Sequence, residues 1–95
     1  MRGTDATAPP TLADVLAAAA VIRGRADATP FVPAPGLSAR LGLDLHLKLE
    51  SLQPIGAFKL RGALNAVARL GPDVAGVTCC STGNHGRGVA WAARA

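Results

Sequence analysis

The chain has 95 residues, a formal net charge of +4, 49% hydrophobic residues and only 3% aromatic ones. That length allows one small domain at most, and a core of Ala, Leu and Val fills little volume per residue. The ten basic residues are scattered, with no run of three, and the aromatics are too few for a base-stacking platform, so nucleic-acid binding is disfavoured.

Residues Met1 to Pro10 read as a flexible lead-in closed by Pro9-Pro10. Thr11 and Asp14 form a capping pattern, and Leu12, Val15, Leu16, Ala19 and Ile22 then recur at helical spacing. The longest apolar run, Val15 to Ile22, falls far short of the about 20 residues of a bilayer span. Asp5 and Asp14 interrupt the region where a signal peptide needs its apolar core. Pro30, Pro33 and Pro35 impose an extended segment, and Leu37 to Leu41 suggest a short helical turn closed by Gly42.

Leu43, Leu45, Leu47 and Leu49 alternate with polar residues. This predicts a strand with one apolar face, at a sheet edge or in an antiparallel pair. The stretch PIGAFKLRGALNAV follows: a Pro-x-Gly turn, then an apolar stripe of Leu60, Ala63, Leu64 and Val67 on a helix stopped by Gly71-Pro72. Val77 to Cys80 reads as a short buried strand, Ser81 to Gly88 as a polar Gly-rich turn, and GVAWAARA as a third helix. Adjacent Cys79 and Cys80 match neither a redox nor a metal spacing; they read as small buried hydrophobes in a reducing, cytoplasmic setting. Strands and helices alternating at these lengths indicate an α/β chain. Two strands and a helix still in pattern at Ala95 do not close a layered core, so the expectation is the front part of a longer protein.

Two loops carry chemistry. In CCSTGNHGRG a strand gives way to a helix, and unpaired N–H groups at a helix start, with the dipole, favour an anion. Ser81, Thr82, Asn84 and His85 add side-chain donors, while Gly83, Gly86 and Gly88 permit close approach. The spacing is neither the dinucleotide fingerprint nor a P-loop. A plain capping turn with glycines for tight packing is an equal alternative. His85 has no metal-ligand partner at a suitable spacing, and Glu50 reads as a surface charge or loop anchor.

The second loop places Lys59, one of two lysines, beside Phe58 and Leu60 at a helix mouth. A lysine amine becomes a nucleophile when desolvation or nearby positive charge removes its proton. The alternative is a lysine whose stem covers apolar surface.

Together, LKLESLQPIGAFKLRGALNAV and CCSTGNHGRGVAWAA resemble the lysine segment and the asparagine loop of fold-type II pyridoxal-phosphate enzymes. The likeness is nearest to serine/threonine dehydratases (threonine ammonia-lyases), and within them to the ectoine or hydroxyectoine utilisation branch. ATPFVPAPGLSARLG also fits, so the resemblance covers most of Ala28 to Ala95. It implies an α/β fold of two domains, with three-layer αβα architecture and open twisted sheets, and the cofactor between them. Residues 11–74 would open the larger domain, and residues 75–95 would begin the smaller one.

The resemblance further implies that Lys59 holds pyridoxal 5'-phosphate as a Schiff base and then takes the substrate Cα proton. Phe58 would pack near the cofactor ring, and Asn84 would hydrogen-bond its phenolic oxygen. Ser81, Thr82, Asn84 and His85 would hold the substrate carboxylate. The implied reaction removes water and then ammonia from a 3-hydroxy amino acid, giving a 2-oxo acid, in a protein that is a homo-oligomer with no membrane or nucleic-acid partner. Ala57 departs from the family's usual Ser, and Thr82 stands where serine racemases carry Ser. The family's Gly-rich phosphate loop and its pyridine-nitrogen partner are not in these residues, so the segment alone is expected to be inactive. The alternatives are a non-catalytic module that keeps only the anion loop, and an amino-acid racemase of the same fold.

Overall fold

The computed structural model describes residues 7–95. Most of the expected lead-in, Met1 to Pro10, lies outside the described residues. The elements in chain order are α1 (Leu12–Ile22), β1 (Phe31–Pro33), α2 (Pro35–Leu41), β2 (His46–Lys48), a 3₁₀ turn (Glu50–Leu52), α3 (Lys59–Ala68) and α4 (Asn84–Arg94).

The expected cap begins α1. Thr11 Oγ1 accepts from the Asp14 N–H at 3.2 Å, and Asp14 Oδ2 accepts from the Thr11 N–H at 2.7 Å and from its hydroxyl at 2.8 Å. The reciprocal pair satisfies donors that a helix start leaves orphaned. The helical turn expected at Leu37 to Leu41 is α2, which has Pro35 in its first turn and ends at Gly42.

β1 and β2 pair antiparallel, with Phe31 opposite Lys48, Val32 opposite Leu47 and Pro33 opposite His46. The strand expected over Leu43 to Leu49 is thus shorter than its alternation suggests. Beyond the paired residues, the Ala34 N–H donates to Leu45 O at 2.9 Å and the Leu49 N–H to Pro30 O at 3.0 Å, while Leu43, 59% exposed, lies outside this ladder. Val77 to Cys80 forms no strand, and both cysteines are exposed. An apolar run becomes a strand only when a neighbour accepts its backbone hydrogen bonds, and the β1–β2 pair is the only sheet among the described residues.

The core lies between α3 and α4. Leu60, Ala63 and Leu64 of α3 are buried against Ala92 of α4, with Ile55 and Ala57 contributed by the loop before α3. Three members of the expected α3 stripe are therefore buried, and Val67 packs at its margin with Ile22, Ala26 and Val89. Leu60 and Leu64 are fully buried, each contributing about 1.5–3 kcal/mol. No helix among the described residues is long and apolar enough to cross a membrane.

Candidate functional site

The loop before α3 is shaped by local chemistry. The Gly56 N–H donates to Gln53 O at 2.7 Å, closing a turn around Pro54 and Ile55. Gly56 has φ of +74°, a left-handed conformation that glycine adopts without a Cβ clash. The turn sends Ile55 and Ala57 inward and leaves Phe58 exposed. Lys59 is the first residue of α3, at the helix mouth as expected.

The Lys59 side chain is exposed, and its Nζ lies 5.6 Å from the centre of the Phe58 ring. Apart from that ring contact, it has no hydrogen-bond or ion-pair partner among the described residues. Lys48 differs, because its Nζ donates to Thr29 O at 2.6 Å. The expected desolvation by Phe58 and Leu60 is not what these residues supply. Phe58 is 63% exposed and Leu60 turns wholly into the core.

Both flanks of this loop meet at Glu50. Its carboxylate accepts from Arg61 Nε, from Arg61 Nη2 at 3.1 Å, from the Thr29 hydroxyl at 2.6 Å and from Gln53 Nε2 at 3.1 Å. The Gln53 amide closes a two-way pair with the Asp27 backbone, accepting from its N–H and donating to its O, both at 2.9 Å. Arg61 Nη2 also donates to Asp27 O at 3.1 Å. The Arg61 guanidinium, then the Thr29 and Gln53 donors, hold the Glu50 carboxyl down at about 2, against the opposing effect of burial. The same pairing raises Arg61. Glu50 is thus the loop anchor that was one of its two expected roles.

The second loop leads into α4, which starts at Asn84 rather than near Gly88. The Gly83 N–H donates to Ser81 Oγ at 3.2 Å, and Asn84 Oδ1 accepts from Arg87 Nη1 at 3.5 Å. Ser81, Thr82, Asn84 and His85 are all exposed around this helix start. The glycines do not all serve a ligand. A Cβ on Gly88 would lie 3.2 Å from Ala63 Cβ and 3.3 Å from Lys59 O, so the bare backbone here lets α4 close onto the start of α3. A Cβ on Gly86 would lie 3.5 Å from Ser81 Cβ. Tight packing, the alternative weighed for this turn, therefore explains Gly88.

This contact joins the two loops. A pocket of about 390 Å³ is lined by Phe58, Lys59 and Gly62 from one side and by His85 and Val89 from the other. The structure thereby brings Lys59, Phe58 and His85 together. Ser81, Thr82 and Asn84 sit at the same end of α4 but outside that lining.

The sequence pattern described as "Pyridoxal-phosphate dependent enzyme" matches residues 22–95, a span that contains both loops. The chain belongs to this family. It is 50% identical over 68 residues to Threonine dehydratase 1 biosynthetic, chloroplastic, of Solanum lycopersicum, a match covering 70% of this chain and 11% of that protein. An L-threo-3-hydroxyaspartate ammonia-lyase of a Pseudomonas species is 43% identical over 83 residues, covering 85% of this chain and 26% of the relative. The crystal structure of the T.th. threonine deaminase superposes with a TM-score of 0.79 at 41% identity, covering 90% of this chain and 31% of that one. The mixed α/β fold is therefore that of part of a larger pyridoxal-phosphate enzyme.

The residues present fit one side of that cofactor. A primary amine with no hydrogen-bond or ion-pair partner among the described residues suits its aldehyde, and the Phe58 face beside it suits a planar ring. Sequence reasoning missed two contributors. Arg61, two residues after Lys59 and off the apolar stripe, reaches back to Glu50, a pairing across eleven residues that no local pattern signals. Gly88 was grouped with ligand-approach glycines, although it falls on the buried face of a helix.

Proposed function

We propose that this segment serves a pyridoxal 5'-phosphate-dependent dehydratase of the ammonia-lyase type. It would remove water and then ammonia from a 3-hydroxy amino acid to give a 2-oxo acid. The observation that carries this is the meeting in one pocket of Lys59, which among the described residues has no hydrogen-bond or ion-pair partner, and His85 in the first turn of α4. When bound, the cofactor supplies an electron sink for charge developing at the substrate Cα. Lys59 would hold the cofactor and move the Cα proton, and Phe58 would pack near its ring. Asn84 would donate to the ring's phenolic oxygen. Ser81, Thr82, Asn84 and His85 would receive the substrate carboxylate, favoured by the positive end of the helix dipole.

Relatives named for threonine and for L-threo-3-hydroxyaspartate support a 3-hydroxy amino acid as the substrate class. Within it, the finer reading is serine, threonine or a hydroxyectoine-derived amino acid, in a cytoplasmic homo-oligomer. The proposed division into residues 11–74 and 75–95 falls in the stretch between α3 and α4, which has no helix or strand.

The test is on the complete protein carrying this segment. With pyridoxal phosphate it should show the visible absorption of the lysine-bound cofactor and release 2-oxo acid from threonine, serine or 3-hydroxyaspartate. Lys59→Ala should abolish the absorption and lower turnover on the order of 10³-fold or more, because both the covalent anchor and the proton carrier are lost. Absorption and turnover surviving in that variant would refute the assignment.

A further inference from the structure

Among the described residues Lys59 Nζ has the Phe58 ring beside it but no hydrogen-bond or ion-pair partner, so its position depends on the backbone that carries both residues. That backbone is a loop closed at its base. Glu50 precedes the turn, Arg61 follows Lys59 by two residues, and their side chains meet across the gap. The fork of Arg61 also reaches Asp27 O, and the Glu50 carboxylate also takes the hydroxyl of buried Thr29. Gln53, itself 3% exposed, ties Glu50 to both backbone groups of Asp27. Three segments are thus cross-linked: residues 27–29, residues 50–53 and the first turn of α3. A bidentate guanidinium–carboxylate pair has fixed geometry, which a point-charge pair does not.

We propose that Glu50 and Arg61 are positioning residues. Their pairing, extended to Thr29, Gln53 and Asp27, cinches the 51–60 loop and sets where the Lys59 amine stands relative to the N-terminus of α4. The inference rests on the reading of Lys59 as the cofactor-bearing lysine. Its consequence is separable from general stability. Loosening the clamp frees the loop locally, while the far half of α4, Val89 to Arg94, keeps its packing through Ala92.

The experiment compares wild type with Glu50→Gln, Arg61→Lys and the near-isosteric Thr29→Val in the complete protein. In the cofactor-free form, amide hydrogen exchange of residues 55–60 should accelerate by about tenfold in Glu50→Gln and Arg61→Lys, with residues 89–94 little changed. Thr29→Val, which leaves the ion pair in place, should give a smaller change in the same direction. In the loaded enzyme, kcat should fall about tenfold to a hundredfold, as expected of a misplaced reacting group, while KM stays within about threefold. Exchange that rises equally in residues 89–94 would overturn the proposal, as would kcat at the wild-type value in all three variants. Should one variant fail to fold, the other two decide. Undiminished activity in Lys59→Ala overturns the cofactor-lysine reading instead, and does so independently of the exchange data.

Discussion

At the scale of single residues, Glu50 and Lys59 show how one loop uses opposite charges differently. Glu50 is surrounded by donors and held ionised to about 2, whereas Lys59 has no hydrogen-bonding partner among the described residues. The depressed carboxyl has a consequence for stability. Its folded value lies below the ordinary 4.5, so its contribution is fully present above about 4.5 and is lost as pH falls through about 2. By linkage that contribution is at most roughly 3 kcal/mol, and less in practice because Arg61 is one-third exposed. Glu50→Gln should therefore lower the denaturant midpoint at pH 7, and the gap to wild type should narrow as pH falls from about 4.5 to about 2. A gap independent of pH over that range would mean that the pair's charge contributes nothing.

At the scale of elements, the decisive contact is α4 on α3. Neither helix carries large apolar residues along its whole face, so close approach replaces bulk. Gly88 is buried, and its backbone passes Ala63 and the carbonyl of Lys59. Glycine inside a helix costs about 1 kcal/mol relative to alanine, a cost offset by the packing that the missing Cβ permits. Replacing it with a branched side chain removes that option, since Lys59 O belongs to the backbone of α3 and cannot swing away. Gly88→Val is expected to destabilise the protein by about 2–3 kcal/mol through overpacking and to disrupt the pocket between Lys59 and His85. Chemical denaturation measures the first effect and cofactor retention the second. Gly71→Ala, at an exposed position with open space around it, serves as the control.

At the scale of the molecule, the buried core among the described residues is small. The radius of gyration is 16.1 Å and the extents are 52 × 27 × 25 Å, against about 12 Å expected for a compact chain of this length. The periodic face of α1 shows why. Leu12, Val15 and Leu16 are 74%, 55% and 62% exposed, although their spacing marks a packing stripe. Burial therefore predicts a sharp contrast in this chain. Leu60→Ala should cost about 2–5 kcal/mol, whereas Leu16→Ala should shift stability by no more than about 0.5 kcal/mol. Equal losses on urea titration would show that α1 is packed more deeply than its exposure indicates.

Local signals were legible wherever neighbours in sequence decide the outcome. The Thr11–Asp14 cap, the Gly42 stop, the Pro54–Gly56 turn and the start of a helix at Lys59 depend on residues within a few positions of one another, so the sequence alone determined them. The two loops also identified the family, because their residue types and order are specific. Tertiary structure decided the rest. Val77 to Cys80 has strand-forming residues but no strand to pair with among the described residues, and Leu43 to Leu49 pairs only over Leu45 to Leu49, opposite Pro30 to Ala34. The joining of Glu50 to Arg61 and the seating of Gly88 against Lys59 depend on where distant backbone segments come to lie. Backbone hydrogen bonds and close packing are satisfied between segments, and no periodicity within one segment records its partner.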